Sequence, residues 1–387
     1  MKRFLLFAIV SFLTLPIFAD INGEGYYRVR NAFTKRYAYL MDDKGSYSAI
    51  TTSADVAALE LYADTKRVLS DPSTIFFIDP QGNDYYDICG QGTSIHSFLD
   101  LYVTILKDRS QYDGATTYSI YASNSGLVKY LGDIWDDLSN DKGLASVDTK
   151  GDARKWNILP IEVNGDEYFG VAPTVESGDK KYAPFFAAFP FSAYSEDVRF
   201  YTIYEIDSRG AAIVREVEGT VPASTPVIIE CKSNVVSDNR LNIGGNADIV
   251  TDNKLKGVYF DNPLTFHYNR LPFDKESMRV LGVGKDGRLA FVKADYDFVP
   301  RNMAYLQLTD PSQYDTDEFL VLTAEQRDIE FSAVEAVEAI PSADSVDVYT
   351  LDGRILKQNM LKSDVPLLGK GLYILKGKGK SEKLIVR

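Results

Sequence analysis

Two stretches of this chain match without a gap at an offset of 91 residues, and both are written in short aromatic runs of strand character. Tyr27-x-Val29 through Tyr39-Leu40-Met41-Asp42 aligns with Tyr118-x-Ile120 through Tyr130-Leu131-Gly132-Asp133. A closing element recurs as well, Phe76-x-Ile78 against Trp156-x-Ile158, and a degenerate unit lies between them around Tyr85-Tyr86-x-Ile88. A repeated unit of this size cannot bury its apolar face alone, so repetition points to copies packed around one core. Residues 20–163 are therefore expected to form one domain of three related units. A second repeat, at an offset of 78, runs through residues 164–323. Val221-Pro222-x-x-x-Pro226-Val227-Ile228 matches Val299-Pro300-x-x-x-Ala304-Tyr305-Leu306, with Ile213-Val214 falling on Phe291-Val292 upstream. Each copy reads as a hairpin with a Gly-containing turn, then a strand, then a Val-Pro break. The break belongs at a strand end or edge, because Pro lacks the N–H that a sheet ladder needs.

The string GYYRVRNAFTKRYAYLMD resembles the opening of a ricin-type β-trefoil repeat, and RKWNILPI resembles the strand that closes one. That family is mainly carbohydrate-binding, and the resemblance implies a threefold fold in which each unit offers a shallow pocket with a polar residue and an aromatic platform. One stretch departs from it. Ser94 to Lys107 places Ile95, Phe98, Leu99, Tyr102, Ile105 and Leu106 at helical spacing with Ser94 as N-cap, which predicts a helical insertion. Val56 to Tyr62 reads either way. The N-terminal domain is thus expected to be β-trefoil-like or an irregular β domain. VPASTPVIIE and VPRNMAYLQL resemble β-sandwich modules of secreted surface proteins, a resemblance that brings no activity with it.

The two ends address the chain. Lys2 and Arg3 precede the apolar run Phe4 to Phe18, and Ala19 is a small residue suited to a cleavage site, so residues 1–19 read as a signal peptide cleaved near Ala19. No later apolar run approaches the ~20 residues of a membrane span, so none is expected in the mature chain. At the other end, VDVYTLDGRILK and KGLYILKGKGKSEKLIVR give two hairpins. Asp352-Gly353 turns the first, and Gly377-Lys378-Gly379 the second. The order Leu351-x-Gly353-Arg354, Lys370-Gly371-Leu372-Tyr373-Ile374-Leu375, basic turn and closing strand resembles the C-terminal sorting domain of type IX secretion cargo in Gram-negative bacteria. The resemblance covers residues 346–387 and implies delivery to the outer cell surface by the type IX machinery. Residues 310–344 hold ten acids against Arg327, whereas 346–387 hold nine bases against four acids. That contrast reads residues 324–345 as an acidic linker.

A net charge of −13 argues against nucleic acid as a partner, since phosphate backbones are bound by Lys and Arg. Cys89 and Cys231, in different expected domains, read better as separate buried thiols than as a disulfide. Gly282-x-Gly284-x-x-Gly287 satisfies the letter of a dinucleotide fingerprint, but Arg288 to Val292 reads as a strand where pyrophosphate binding needs a helix N-terminus, so the stretch is a hairpin turn. Asp133, Asp136, Asp137, Asn140, Asp141 and Asp148 crowd one loop, where Asp137, Asp141 and Asp148 would be the calcium ligands. The spacing fits an EF-hand poorly, so a solvated acidic loop is the plainer reading, with calcium as the alternative. His96 and His267 are the only histidines, and no nucleophile elbow or triad setting stands out.

These readings converge on an exported, mainly β, multidomain surface protein: an N-terminal β-trefoil-like or irregular β domain, a β-sandwich-like middle domain and a small C-terminal β-sandwich. Its expected role is non-catalytic binding of a glycan or a surface protein. The residues expected to carry it are Tyr39 and Tyr130, exposed for stacking, with Asp42 and Asp133 at equivalent repeat positions. A structural or adhesive component without a small-ligand site is the second reading, and a secreted hydrolase the third. Trp156 reads as core rather than platform.

Overall fold

The computed structural model describes residues 21–40, 59–62, 65–83, 85–91, 100–112, 115–124, 127–133, 144–147, 151–259, 271–314, 316–332, 344–350, 353–377 and 380–386. In its first part, aromatic-x-aliphatic pairs alternate with polar residues, the pattern of strands with one buried face. The strands are β1 (Gly25–Asn31), β2 (Tyr37–Leu40), β3 (Leu59–Tyr62), β4 (Phe76–Gly82), β5 (Tyr85–Gly90), β6 (Asp100–Tyr112), β7 (Ala115–Asn124), β8 (Leu127–Asp133), β9 (Leu144–Val147) and β10 (Trp156–Pro160). β1 pairs β4, β4 pairs β5, and the pairing runs on through β6 and β7 to β10, which returns to β1. The ring is closed, so it has no exposed edge. Hairpins β2–β3 and β8–β9 stand on it at equivalent points of the first and last units. Tyr27 and Val29, Phe76 and Ile78, Tyr86 and Ile88, Tyr118 and Ile120, and Trp156 and Ile158 fill the interior, each pair from a different strand. Trp156 is fully buried and its indole N–H donates to Leu131 O at 3.0 Å.

The expected helix at 94–107 is corrected by β6. Residues 100–107 lie in a strand paired on both sides, with β5 and β7. Short apolar runs fit both periods, and here the β-branched Val103, Thr104 and Ile105, stiff at χ1, favour the strand. Residues 94–99 lie outside the described residues.

The middle domain comprises β11 (Phe169–Gly170), β12 (Val175–Ser177), β13 (Lys180–Phe185), β14 (Phe191–Ala193), β15 (Arg199–Asp207), β16 (Ala211–Val217), β17 (Thr220–Val221), β18 (Val227–Cys231), β19 (Arg240–Ile243), β20 (Leu255–Val258), β21 (Met278–Val283), β22 (Leu289–Val292), β23 (Met303–Gln307) and β24 (Phe319–Leu322). A small sheet, β11-β19-β14-β17, packs on a ten-stranded one ordered β12-β13-β18-β15-β16-β24-β22-β21-β23-β20. The 78-residue repeat becomes visible in that order. β13, β15, β16 and β18 of the first copy take the places of β20, β21, β22 and β23 in the second, and β24 joins the two. Tyr201 pairs Ile228 in one copy and Arg279 pairs Leu306 in the other, positions 78 apart on both strands. The turn leading into each copy's last strand carries a residue with positive φ, Ser224 at 62° and Asn302 at 53°.

The larger sheet curls so that its halves share a core of Ile203, Ala212 and Ile228 with Leu281, Phe291, Leu306 and Phe319. The first half is buried on both faces. On β18, Val227, Ile229 and Cys231 pack towards the small sheet and Ile228 towards the second half. A strand covered on both sides reads as a continuous apolar run, which is why VIIEC lacks alternation. The Gly282–Gly287 stretch turns the β21–β22 hairpin, with Gly287 at φ 84°.

Residues 324–345 are corrected in part. Ala324–Ser332 is a helix of the middle domain, not linker. Thr323 and Gln326 close a reciprocal capping box, each backbone N–H donating to the other's side chain. Phe331 then packs on Ala211, Ile213 and Leu322. Residues 333–343 lie outside the described residues. The C-terminal module is a sheet ordered β26-β25-β27-β28, with β25 (Ser345–Tyr349), β26 (Ile355–Leu361), β27 (Gly371–Gly377) and β28 (Lys380–Val386). Val346, Val348, Tyr373 and Leu375 form its core with Val365 from the intervening turn. Cys89 and Cys231 are both buried and form no disulfide with each other. No helix among the described residues is long and apolar enough to cross a membrane.

Candidate functional site

Of the positions expected to bind a ligand, the described ones, Tyr39, Tyr130 and Asp133, do not form an exposed pair. Tyr39 is 6% exposed, packed with Tyr37, Val68 and Leu159, and the Arg301 guanidinium lies 5.1 Å from its ring centre. Asp133 is 2% exposed. Its carboxylate accepts from Thr34 Oγ1 and from the Arg36 guanidinium, whose Nε donates at 3.1 Å. Both are corrected from ligand contacts to internal supports: Val68, Leu159 and Arg301 cover the Tyr39 ring on the side of β2 away from the barrel core, and a carboxylate removed from water requires a cation beside it. Tyr130 remains half-buried, with Arg154 stacked 4.4 Å from its ring centre and Tyr121 beside it. Asp42, Asp137, Asp141 and Asp148 lie outside the described residues, as do His96 and His267. Among the described residues no group of three metal-ligating side chains is assembled.

A different site lies where barrel and sandwich meet. The junction is fixed by Arg28 on β1, whose side chain is fully buried. It donates to Glu167 O at 2.7 Å, to Tyr168 O at 3.0 Å and to Thr74 Oγ1 at 3.4 Å. Tyr37 donates to Glu167 Oε1 at 2.7 Å, and its phenol is pushed up to about 12 by burial first and by the Glu167 charge second. Ala188 of the middle domain packs into the barrel core. Gln91 Oε1, from the end of β5, accepts from Ala188 N and from Asn302 Nδ2. So many buried polar contacts, each costly to leave unmade, hold the two domains in one relation.

Beside this junction opens a cleft of about 420 Å³. Arg67, Ser70, Asp71 and Pro72 form the barrel side; Thr174, Val175, Tyr296, Pro300, Arg301 and Asn302 form the sandwich side. Asp71 caps the short turn Pro72–Thr74, its Oδ1 accepting from Ser73 N at 3.0 Å and Ser73 Oγ at 2.5 Å. Its Oδ2 accepts from Arg301 Nη2 at 2.8 Å, so one carboxylate ties the walls together. Tyr296 is 40% exposed and braced edge-on by Phe273. Volume, interdomain position and an apolar lining with a few placed polar groups are the features of a ligand site.

Sequence reasoning missed Arg67, Tyr296, Arg301 and Asn302. A signal for two of them lay in the 78-residue repeat, where Ala223-Ser224 of the first copy stands against Arg301-Asn302 of the second. The turn geometry is shared, so the arginine answers to something other than the turn. No family model matches the chain, and neither the curated proteins nor the solved structures give a match.

Proposed function

We propose that the chain is an exported, non-catalytic binding protein of the outer cell surface, that a glycan occupies the cleft between barrel and sandwich, and that residues 346–387 direct type IX secretion. The observation that carries the binding reading is the cleft between barrel and sandwich, where the exposed Tyr296 ring, Val175 and Pro300 give apolar surface beside polar side chains. The sorting reading is supported by a C-terminal core built only of residues 346–384, as a separable address would be.

A glycan array probed with the full chain tests the first part. Wild type is expected to bind, and Tyr296→Ala and Arg67→Gln, both at exposed positions, are expected to lose the signal while keeping the wild-type melting temperature. A structural surface component is the second reading, favoured by the burial of Tyr39 and Asp133, and an array blank for every glycan would select it. Removal of residues 346–387 is expected to abolish surface exposure and leave the chain in the periplasm, scored by protease accessibility on whole cells.

A further inference from the structure

The cleft has two unlike walls. The barrel wall is polar: beside Pro72, which is buried, it consists of Arg67, Ser70 and Asp71, supplied by the Thr65–Val68 turn of helix and the residues that follow it. The sandwich wall is mostly apolar. Ala172 and Val175 come from β12 and the stretch before it, Pro184 from β13, and Tyr296 and Pro300 from the run into the second-copy turn, each with part of its surface accessible. Thr174 is the neutral polar residue among them. Arg301 also belongs to that side, but its Nη2 donates to Asp71 Oδ2 at 2.8 Å, which turns its charge to the barrel wall.

Each wall selects a different surface of a ligand. A hydroxyl pressed on the sandwich wall gives up its water without gaining a partner, which is costly. A methyl group placed there leaves water favourably. Tyr296, 40% exposed and braced by Phe273, adds a ring on which the C–H face of a pyranose can rest. A sugar that carries hydroxyls all round therefore suits one wall only. A sugar with a methyl group on one side and hydroxyls on the other suits both.

We infer that the cleft takes a short glycan whose pyranose carries a methyl group, as a 6-deoxy or an N-acetylated sugar does, with the methyl on the sandwich wall beside Val175 and hydroxyls on the barrel wall. This rests on the proposed glycan-binding reading and names its ligand class. Saturation-transfer NMR titrations of the full chain with paired methyl glycosides test it: L-fucoside against L-galactoside, L-rhamnoside against L-mannoside, and N-acetylglucosaminide against glucoside. The methyl aglycone is common to both members of a pair and cancels. In at least one pair the member with the extra methyl is expected to bind about fourfold more tightly, as burial of one methyl-sized group implies, with the strongest transfer at that methyl's protons. The first two pairs read the 6-deoxy source and the third the N-acetyl source. Val175→Thr puts a hydroxyl in place of a methyl on a side chain of the same shape. It is expected to remove the preference and keep the melting temperature, because Val175 is half-buried on the end strand of its sheet. Equal binding within every pair, or tighter binding of the hydroxylated members, would overturn the methyl assignment and leave the glycan site standing. A preference that survives unchanged in Val175→Thr would also overturn it, since the methyl would then rest elsewhere. No binding of any glycoside would overturn both this inference and the reading it rests on.

Discussion

The Asp133 carboxylate sits at the end of β8 with no access to water, held by Arg36 and Thr34 from the loop after β1. Removing one member of such a buried pair strands its partner, which is far more costly than losing an exposed pair. Asp133→Ala is expected to lower unfolding stability by about 3 kcal/mol, read as a shift in the urea midpoint. The double variant with Arg36→Ala is expected to recover part of that loss, and ligand binding by the folded fraction is expected to be unchanged. A midpoint equal to wild type would mean the pair contributes nothing. The repeat alignment made Tyr39, Tyr130 and Asp133 legible as special positions, and each is special, but Ala38 and Leu131 are the residues of these strands that enter the enclosed core, and what covers Tyr39 and Tyr130 comes from elsewhere in the chain. Arginines supplied from far along the sequence, Arg301 over Tyr39 and Arg154 over Tyr130, also cover these rings. No local pattern announces such pairings.

At the level of elements, β24 is the seam of the duplicated domain. It runs parallel to β16 of the first copy and antiparallel to β22 of the second, and Phe319 lies fully buried in the core that both copies share. Phe319→Ala is expected to cost about 3–5 kcal/mol, and hydrogen exchange is expected to speed up in β16 and β22 together. Faster exchange in one alone would show that the copies are stabilised independently. The two copies themselves were readable, because Val-Pro breaks and paired aliphatics recur at a fixed interval. Their joining strand was not, since β24 belongs to neither repeat. Sequence patterning misassigned β6 for a related reason: a run such as LYVTIL satisfies helical and strand periods alike, and the partners on both sides decide. The capping box at Thr323 and Gln326 was present in the letters TAEQ but was outweighed by the acidity around it.

Across the whole molecule, the division into barrel, sandwich and C-terminal module follows composition and repetition, whereas the cleft arises only from the docking of the first two and had no linear trace. The C-terminal module has its own core, so deletion of residues 344–387 is expected to leave the thermal midpoint of the remainder unchanged by differential scanning calorimetry; a clear fall would show that the module braces the body. The same burial that makes the body rigid also sets its response to alkali. Tyr26, Tyr37, Tyr182, Tyr201 and Tyr259 are each raised from 10.0 to about 12, with burial the first cause in every case. Burial likewise lifts the Cys231 thiol from 9.0 to about 12. The folded chain therefore holds these protons more tightly than the unfolded chain does. Stability is fully present below the unfolded values and is lost as pH rises through the folded ones, because the unfolded state ionises first. Thermal midpoints are expected to hold steady up to the unfolded thiol value, decline beyond it and fall steeply between pH 10 and 12, the window these phenols span. Tyrosinate absorbance should lag behind that of free tyrosine until unfolding and then rise in one step. Tyr37→Phe deletes one titrating group while also deleting its hydrogen bond to Glu167. Its midpoint should start lower at neutral pH and decline less steeply in alkali, a crossing that a purely structural loss at Tyr37 would not produce.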